Sequence, residues 1–302
     1  MKILVTGGAG FVGRNLVEKL SKDKHIVTIF DNFSNSKIEN IEYLIGKNTK
    51  YIIGDIRNYD EIHEAIQDNE IIIHLAAVIS VKDSINFPKK TYDVNVKGTK
   101  NILNACKNSS IKKIISSSSA AVYGEPLKKV ALKETENQNP ISPYGKSKLL
   151  MENEITRFCR ENKFQYIIFR FFNIYGIGQS EEYAGVITKF LKNIKENKKI
   201  EIFGDGSQTR DFIFIDDVVD IILKSIKSDK SGIFNFGTGK PFSIIQLAKK
   251  IILFSRKSIE IKYYPSIKGD IKNSYADMTE LKKIFKYTPK FRLDEFLKSM
   301  DY

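Results

Sequence analysis

Short, continuous apolar runs rich in β-branched residues recur through the first half of the chain, at residues 3–6, 26–30, 51–53, 71–75, 114–117 and 166–170. Between them, residues 13–21, 60–67, 94–107 and 144–161 carry apolar side chains at helical spacing. A strand with one wet face alternates apolar and polar residues, whereas a strand covered on both faces is apolar throughout. The pattern therefore predicts an α/β chain with a doubly wound, parallel (Rossmann) sheet flanked by helices on both faces. Ser142 followed by Pro143 sets the start of the last helix, a hydroxyl cap ahead of a proline at the first helical position.

After residue 170 the texture changes. Residues 172–210 are rich in Gly, Lys and Asn, and a strand-like run at 232–236 precedes Gly237-Thr238-Gly239-Lys240-Pro241. Two domains are expected: residues 1–171 plus 212–240 as the Rossmann domain, and residues 172–211 plus 241–302 as a smaller C-terminal substrate lobe. No internal repeat or low-complexity linker separates them, so the two should pack together.

At 42% hydrophobic and 28% charged, the chain has the composition of a soluble globular protein. Lys and Arg outnumber Asp and Glu by 49 to 36, a net charge of +13 that favours an anionic partner. The lysines are spread along the chain without a block of about five or six, which reads as a solvated surface and not a nucleic-acid patch. Cys106 and Cys159 fall in helical segments as buried reduced thiols, and with His25, His63 and His74 they form no metal-ligand spacing. No run of about 18 uncharged apolar residues occurs, and no apolar leader segment follows Met1-Lys2, so a cytoplasmic protein without membrane contact is expected.

The first strand runs directly into Thr6-Gly7-Gly8-Ala9-Gly10-Phe11-Val12-Gly13. Glycines at 7, 10 and 13 serve a tight turn, a close approach of backbone to pyrophosphate, and close helix–strand packing, while the helix N-terminus offers N–H groups to the phosphates. Such a triplet alone equally marks a structural turn. Here it follows a strand and opens a helix, and Asp31 comes 18 residues after Gly13, at the end of the second strand. A carboxylate there accepts from the ribose hydroxyls and repels a 2′-phosphate, favouring NAD over NADP. Asp55, in Gly54-Asp55-Ile56, either meets the adenine amino group or caps the following helix. In His74-Leu75-Ala76-Ala77 the small residues leave room for a dinucleotide; His74 could equally be a satisfied core histidine and is assigned no chemistry.

Tyr144 and Lys148 form a Tyr-x-x-x-Lys pair on one helical face. An ammonium beside a phenol favours the phenolate and lowers its pKa from about 10 towards neutrality, yielding a general base. Ser119 stands at the end of the fifth predicted strand, in Ser116-Ser117-Ser118-Ser119-Ala120-Ala121, 25 residues upstream of Tyr144, and its hydroxyl can share the transferred proton.

Together with Val94-Asn95-Val96-Lys97-Gly98-Thr99, Tyr144-Gly145-Lys146-Ser147-Lys148, Arg170-Phe171-Phe172-Asn173-Ile174-Tyr175-Gly176, Gly204-Asp205-Gly206-Ser207-Gln208-Thr209-Arg210-Asp211-Phe212 and Gly269-Asp270, these motifs span almost the whole chain. The sequence resembles the NAD-dependent epimerase/dehydratase family of extended short-chain dehydrogenases/reductases, the UDP-glucose and UDP-N-acetylglucosamine 4-epimerases most of all. The resemblance implies Tyr144 as base, Lys148 on the nicotinamide ribose, and Ser119 on the sugar 4-hydroxyl. It further implies Asn173 and Arg210 on the diphosphate and Phe203 near uracil. Arg210 also has its own chemistry, since a guanidinium forks onto phosphate oxygens. The candidate cofactor contacts are Gly7, Gly10, Phe11, Val12, Asp31, Asn32, Asp55, Ile56, Leu75, Ala76, Ala77, Asn95, Tyr144 and Lys148. The candidate substrate contacts are Ser119, Asn173, Val186, Phe203, Arg210 and Ser274. A homodimer packed through helices near 94–107 and 144–161 is implied as well.

Two departures bear on the reaction. The sugar dehydratases carry Asp-Glu where this chain has Ala120-Ala121, so 4-epimerisation of a UDP-sugar is expected in place of dehydration. Where many relatives place an Arg two residues before Gly-Asp, this chain has Ile267, with Lys268 beside it. Ser274, five residues after Gly269, stands where a bulky Tyr restricts relatives to glucose and galactose, so N-acetylated sugars are expected to fit, provided that Tyr275 does not take that place. Competing readings are another nucleotide-sugar epimerase or reductase and, outside enzymes, a cofactor-sensing or basic nucleic-acid-binding module.

Overall fold

The computed structural model describes residues 1–126, 130–179, 185–267, 271–290 and 292–302. Its strands are β1 (Lys2–Thr6), β2 (Ile26–Asp31), β3 (Thr49–Ile53), β4 (Ile71–His74), β5 (Lys113–Ser119), β6 (Gln165–Phe171), β7 (Asn173–Tyr175), β8 (Ile200–Phe203), β9 (Thr209–Phe214), β10 (Gly232–Phe236), β11 (Pro241–Ser243) and β12 (Ile261–Tyr264). Seven form one parallel sheet in the order β10-β6-β5-β4-β1-β2-β3. The chain winds outward from β1 through β2 to β3, then returns to β4 and winds the other way. Above the carboxyl ends of β1 and β4 the order reverses, and this is where open α/β sheets leave a crevice. Smaller sheets, β11-β9-β7 and β12-β8, lie outside it.

The helices are α1 (Phe11–Lys22), α2 (Tyr59–Ile66), α3 (Val81–Asn86), α4 (Pro88–Tyr92), α5 (Thr99–Cys106), α6 (Pro143–Asn162), α7 (Val186–Lys195), α8 (Ile215–Ile226), α9 (Ile244–Ser255), α10 (Thr279–Phe285) and α11 (Leu293–Lys298). Because strand side chains alternate, Ile3, Val5, Ile71 and Ile73 enter one apolar layer with Leu16, Val17 and Leu20 of α1 and Val218 and Ile222 of α8. Leu4, Ile72, Ile114 and Ile168 enter the opposite layer with α2, α5 and α6, where Cys106 and Cys159 are buried as free thiols. Double coverage explains why these strands read as unbroken apolar runs. A third cluster joins Phe190 and Ile194 of α7, Ile200 and Ile202 of β8, Leu247 and Ile251 of α9, and Phe296 of α11.

Ser142 caps α6 by accepting from the Gly145 N–H at 3.0 Å, with Pro143 at its first position. The helix expected over 94–107 takes a different form. Asp93–Gly98 is a π-helical segment that leads into α5, and such wide turns are common beside functional sites. Within residues 241–302, α10 returns to the large sheet, with Phe285 against Phe234 and Phe169 at centroid distances of 5.2 and 5.9 Å. Among the described residues no helix is long and apolar enough to cross a membrane.

Candidate active site

A cleft of about 1070 Å³ opens above the crevice. Its floor is the glycine turn. Gly7 sits at φ +69°, and a Cβ there would meet the Ala76 nitrogen at 2.6 Å. A Cβ on Gly13 would meet the Gly7 carbonyl at 2.3 Å, so any larger residue would push α1 off the strand. The first turn of α1 carries no acidic side chain, and Gly10, Phe11 and Val12 line the cleft, which leaves a positive helix end facing it.

Asp31 ends β2 at the cleft wall. Its carboxylate accepts from the N–H groups of Ala9 at 3.0 Å and Phe33 at 2.9 Å; burial pushes its pKa up, against these bonds. Farther along, Asp55 accepts from Asn32 Nδ2 at 2.8 Å and from Arg57 Nε and Nη2 at 3.0 and 2.6 Å. The Arg57 fork holds its pKa down at about 2. Asp55 does not cap α2; Asn58 does, accepting from the Asp60 N–H at 3.1 Å. Ile56, Leu75, Ala76 and Ala77 also line the cleft. Arg57 lines it too, and the sequence analysis passed over it because no motif marks a cation two residues after Asp55.

Ser119, Tyr144 and Lys148 meet at one point of the wall. β5 ends at Ser119, whose hydroxyl bonds to Tyr144 and accepts from the Ala121 N–H at 3.2 Å. Lys148, on the buried face of α6, is 2% exposed. Its Nζ donates to the Ser117 carbonyl at 2.9 Å and not to the phenol. The expected lowering of the Tyr144 pKa is therefore corrected: burial pushes the phenol up, opposed by the Ser119 bond. Burial lowers Lys148 to about 8, against the raising effect of the Glu152 carboxylate. Glu152, one helical turn beyond Lys148, was missed by the sequence reading although the same spacing of four residues pointed to it.

On the opposite wall, Asn173, Arg210 and Ser274 line the cleft. Arg210 Nη1 donates to the carbonyls of Thr209 and Ile271 at 2.8 and 2.6 Å, so it is a held cation and not a loose surface one. Ser274 is 7% exposed and faces the cleft, whereas Tyr275 does not line it. Ala120 and Ala121 add wall without an acid or base.

Three expected contacts lie away from the cleft lining. Asn95 is fully buried and spends its amide on Val78 and Ser147. Phe203 stacks on Tyr264 at 5.5 Å and is 41% exposed, because strand alternation sends Ile200 and Ile202 inward and Phe203 outward. Val186 packs on the third cluster. Lys268, Gly269 and Asp270 lie outside the described residues. Among the described residues no group of three or more His, Cys, Asp or Glu could hold a metal ion.

The geometry has counterparts among known proteins. A model of the NAD dependent epimerase/dehydratase family matches residues 3–237. The chain is 37% identical to a putative UDP-glucose 4-epimerase of Methanocaldococcus jannaschii, over 98% of this chain and 96% of that one. The structure of a UDP-N-acetylglucosamine 4-epimerase from Methanobrevibacter ruminantium, in complex with UDP-N-acetylmuramic acid, is similar with a TM-score of 0.93 and 36% identity, covering 98% of this chain and 96% of that one. A Thermotoga maritima UDP-glucose 4-epimerase with UDP-glucose gives 0.93 and 34%, covering 99% and 96%.

Proposed function

The chain belongs to the NAD dependent epimerase/dehydratase family, and from this we propose that it inverts C4 of a UDP-sugar, UDP-glucose or UDP-galactose and their N-acetyl forms, through a transient 4-keto sugar. The observation that carries the reading is the convergence of Ser119, Tyr144 and Lys148 on one point of the cleft, beside a wall in which Ala120 and Ala121 supply no dehydratase acid or base.

NAD fits the residues present. A Cβ at Gly7 would strike the Ala76 backbone and one at Gly13 the backbone of Gly7 and Gly8, so the turn carries bare backbone at these positions; the N-terminus of α1 faces the cleft, and the Asp31 carboxylate stands at the strand end. The turn and α1 would hold the pyrophosphate, Asp31 the adenosine ribose, and Lys148 the nicotinamide ribose. When bound, NAD supplies a reversible two-electron acceptor and a positive ring. Tyr144 takes the 4-hydroxyl proton as C4 is oxidised and returns it when the keto sugar, turned over, is reduced on its other face. Ser119 orients that hydroxyl. The Ser119 bond opposes the effect of burial on the phenol, while Lys148 is kept in place one helical turn from Tyr144 by the Ser117 carbonyl. Asn173 and Arg210 would hold the diphosphate. Residues 172–211 and 241–302 would serve as the substrate lobe over a cofactor domain of 1–171 and 212–240, tied back to it by α10.

A homodimer through the helices near 94–107 and 144–161 is part of the same proposal, supported by the exposed Leu150 of α6; sedimentation reads it directly. For the reaction, UDP-glucose and UDP-N-acetylglucosamine are supplied side by side and the products read by NMR. Epimers of both support the proposal; stoichiometric NADH without an epimer points to a dehydrogenase. Ser274→Tyr should depress turnover of the N-acetylated sugar selectively by filling the space that Ser274 leaves at the cleft. Equal losses on both sugars would show that Ser274 is not the gate.

Asp31→Ala should weaken NAD binding by roughly tenfold or more and relax discrimination against NADP, since the carboxylate both accepts from ribose hydroxyls and repels phosphate. Calorimetry with both cofactors checks this, and an unmoved preference would reduce Asp31 to a strand-end residue.

A further inference from the structure

His74 ends β4 beneath the cleft, 2% exposed, and the reaction as described makes no use of it. Its Nδ1 lies 2.8 Å from Thr6 Oγ1, and its Nε2 lies 3.0 Å from Thr99 Oγ1. The hydrogens of this buried chain can be assigned by counting. Thr99 has one hydroxyl hydrogen and donates it to the Asn95 carbonyl at 2.7 Å. Towards the imidazole it can therefore only accept, so Nε2 carries the proton. In the neutral ring Nδ1 is then the acceptor and Thr6 the donor. Neutrality follows from place: burial, aided by the Lys148 charge, lowers the His74 pKa to about 3.

The chain runs on at both ends. Thr6 adjoins the Gly7 turn, and its Oγ1 accepts from the Ala76 N–H at 3.5 Å. At the other end, the Asn95 amide brackets Val78, accepting from its N–H at 2.8 Å and donating to its carbonyl at 3.0 Å. Its remaining hydrogen goes to Ser147 Oγ at 2.9 Å, and Ser147 donates to the Tyr144 carbonyl at 2.7 Å. Thr6, His74, Asn95, Thr99 and Ser147 are each no more than 3% exposed, so no water competes for these bonds.

We propose that His74 is a positioning residue: as the Nε2–H tautomer it ties the Gly7 turn, which receives the cofactor, to the helix that carries Tyr144. The proposal rests on reading the cleft as an NAD-dependent site. Asn at position 74 places its amide near Nδ1 and keeps the Thr6 arm, whereas Gln reaches towards Nε2 and keeps the Thr99 arm. The two halves of the tie can thus be cut separately.

The first test needs neither sugar nor cofactor. The long-range ¹H–¹⁵N spectrum of histidine-labelled protein should show one imidazole locked as the Nε2–H tautomer, absent from His74→Gln; an Nδ1–H or imidazolium pattern overturns the proposal. The second compares NAD affinity by calorimetry with turnover in folded variants. His74→Gln should lose roughly tenfold more in NAD affinity than in turnover, and His74→Asn roughly tenfold more in turnover than in NAD affinity. Parallel losses, or none, overturn it. Should the histidine variants not fold, Thr99→Val removes the same arm as His74→Asn and must reproduce its turnover-weighted loss for the proposal to stand. If wild type epimerises no sugar, the proposed function fails, while the tautomer and the NAD affinities alone, lowered in His74→Gln and kept in His74→Asn, still decide the role of His74; equal affinities in the two variants overturn it.

Discussion

Tyr144→Phe is expected to lower turnover by roughly 10² to 10⁴, the usual cost of losing a general base. The substitution removes one oxygen and nothing else. Phe keeps the ring at the same point of α6, so the wall of the cleft retains its shape. Lys148 remains fixed through its bond to the Ser117 carbonyl, which does not involve the phenol. Ser119 loses one partner but keeps the Ala121 N–H at 3.2 Å and faces the cleft, where water replaces the phenol. Stability and NAD affinity should therefore stay close to those of the wild type, and the loss should fall on turnover. Steady-state rates with the accepted UDP-sugar, alongside calorimetry with NAD, separate the two. Turnover at the wild-type rate would end the case for Tyr144 as the proton acceptor.

What the sequence disclosed and what it withheld divide along physical lines. The parallel sheet was legible because β1, β4, β5 and β6 are covered on both faces and so carry unbroken apolar runs. The glycine turn was legible because contacts as close as 2.3 Å at Gly13 tolerate no side chain, leaving a fixed spacing behind. Ser119, Tyr144 and Lys148 were brought together as their spacing suggested. Direction within short elements was not legible: Phe203 faces solvent because β8 pairs with β12 in a register that no local pattern announces. Nor was the environment of a charge. The Tyr-x-x-x-Lys spacing is compatible with an ammonium on the phenol or on a strand carbonyl, and the choice of Ser117 depends on where β5 ends. Asn95 was expected at the cofactor; it acts one layer behind, bracketing Val78, which itself lines the cleft.

Arg170→Leu should carry the largest stability cost of any substitution considered. The Arg170–Glu152 pair crosses from β6 to α6 behind the catalytic wall, with side chains 4% and 1% exposed. Nη2 meets Glu152 Oε2 at 2.7 Å, while Nε lies 3.0 and 3.2 Å from the two carboxylate oxygens. The third guanidinium nitrogen is used as well: Nη1 donates to the Tyr123 hydroxyl at 2.9 Å and to the Glu134 carbonyl at 3.1 Å. The Tyr123 hydroxyl passes its own hydrogen to Asn235 Oδ1 at 2.7 Å, and Asn235 Nδ2 donates to the Leu132 carbonyl at 2.7 Å. Removing the guanidinium leaves the carboxylate buried and without its counter-ion, which costs about 3–5 kcal/mol, while removing both charges together costs far less. Urea unfolding should therefore show Glu152→Leu with Arg170→Leu more stable than Arg170→Leu alone, although short of wild type because Ser118, whose hydroxyl donates to Glu152 Oε1, together with Tyr123 and the Glu134 carbonyl, loses a partner. Additive losses in the double variant would mean that the pair contributes packing and no electrostatic coupling. The same carboxylate raises the Lys148 pKa. Glu152→Gln, if folded, should thus shift the alkaline limb of the pH–rate profile towards lower pH, because Lys148 then gives up its proton sooner.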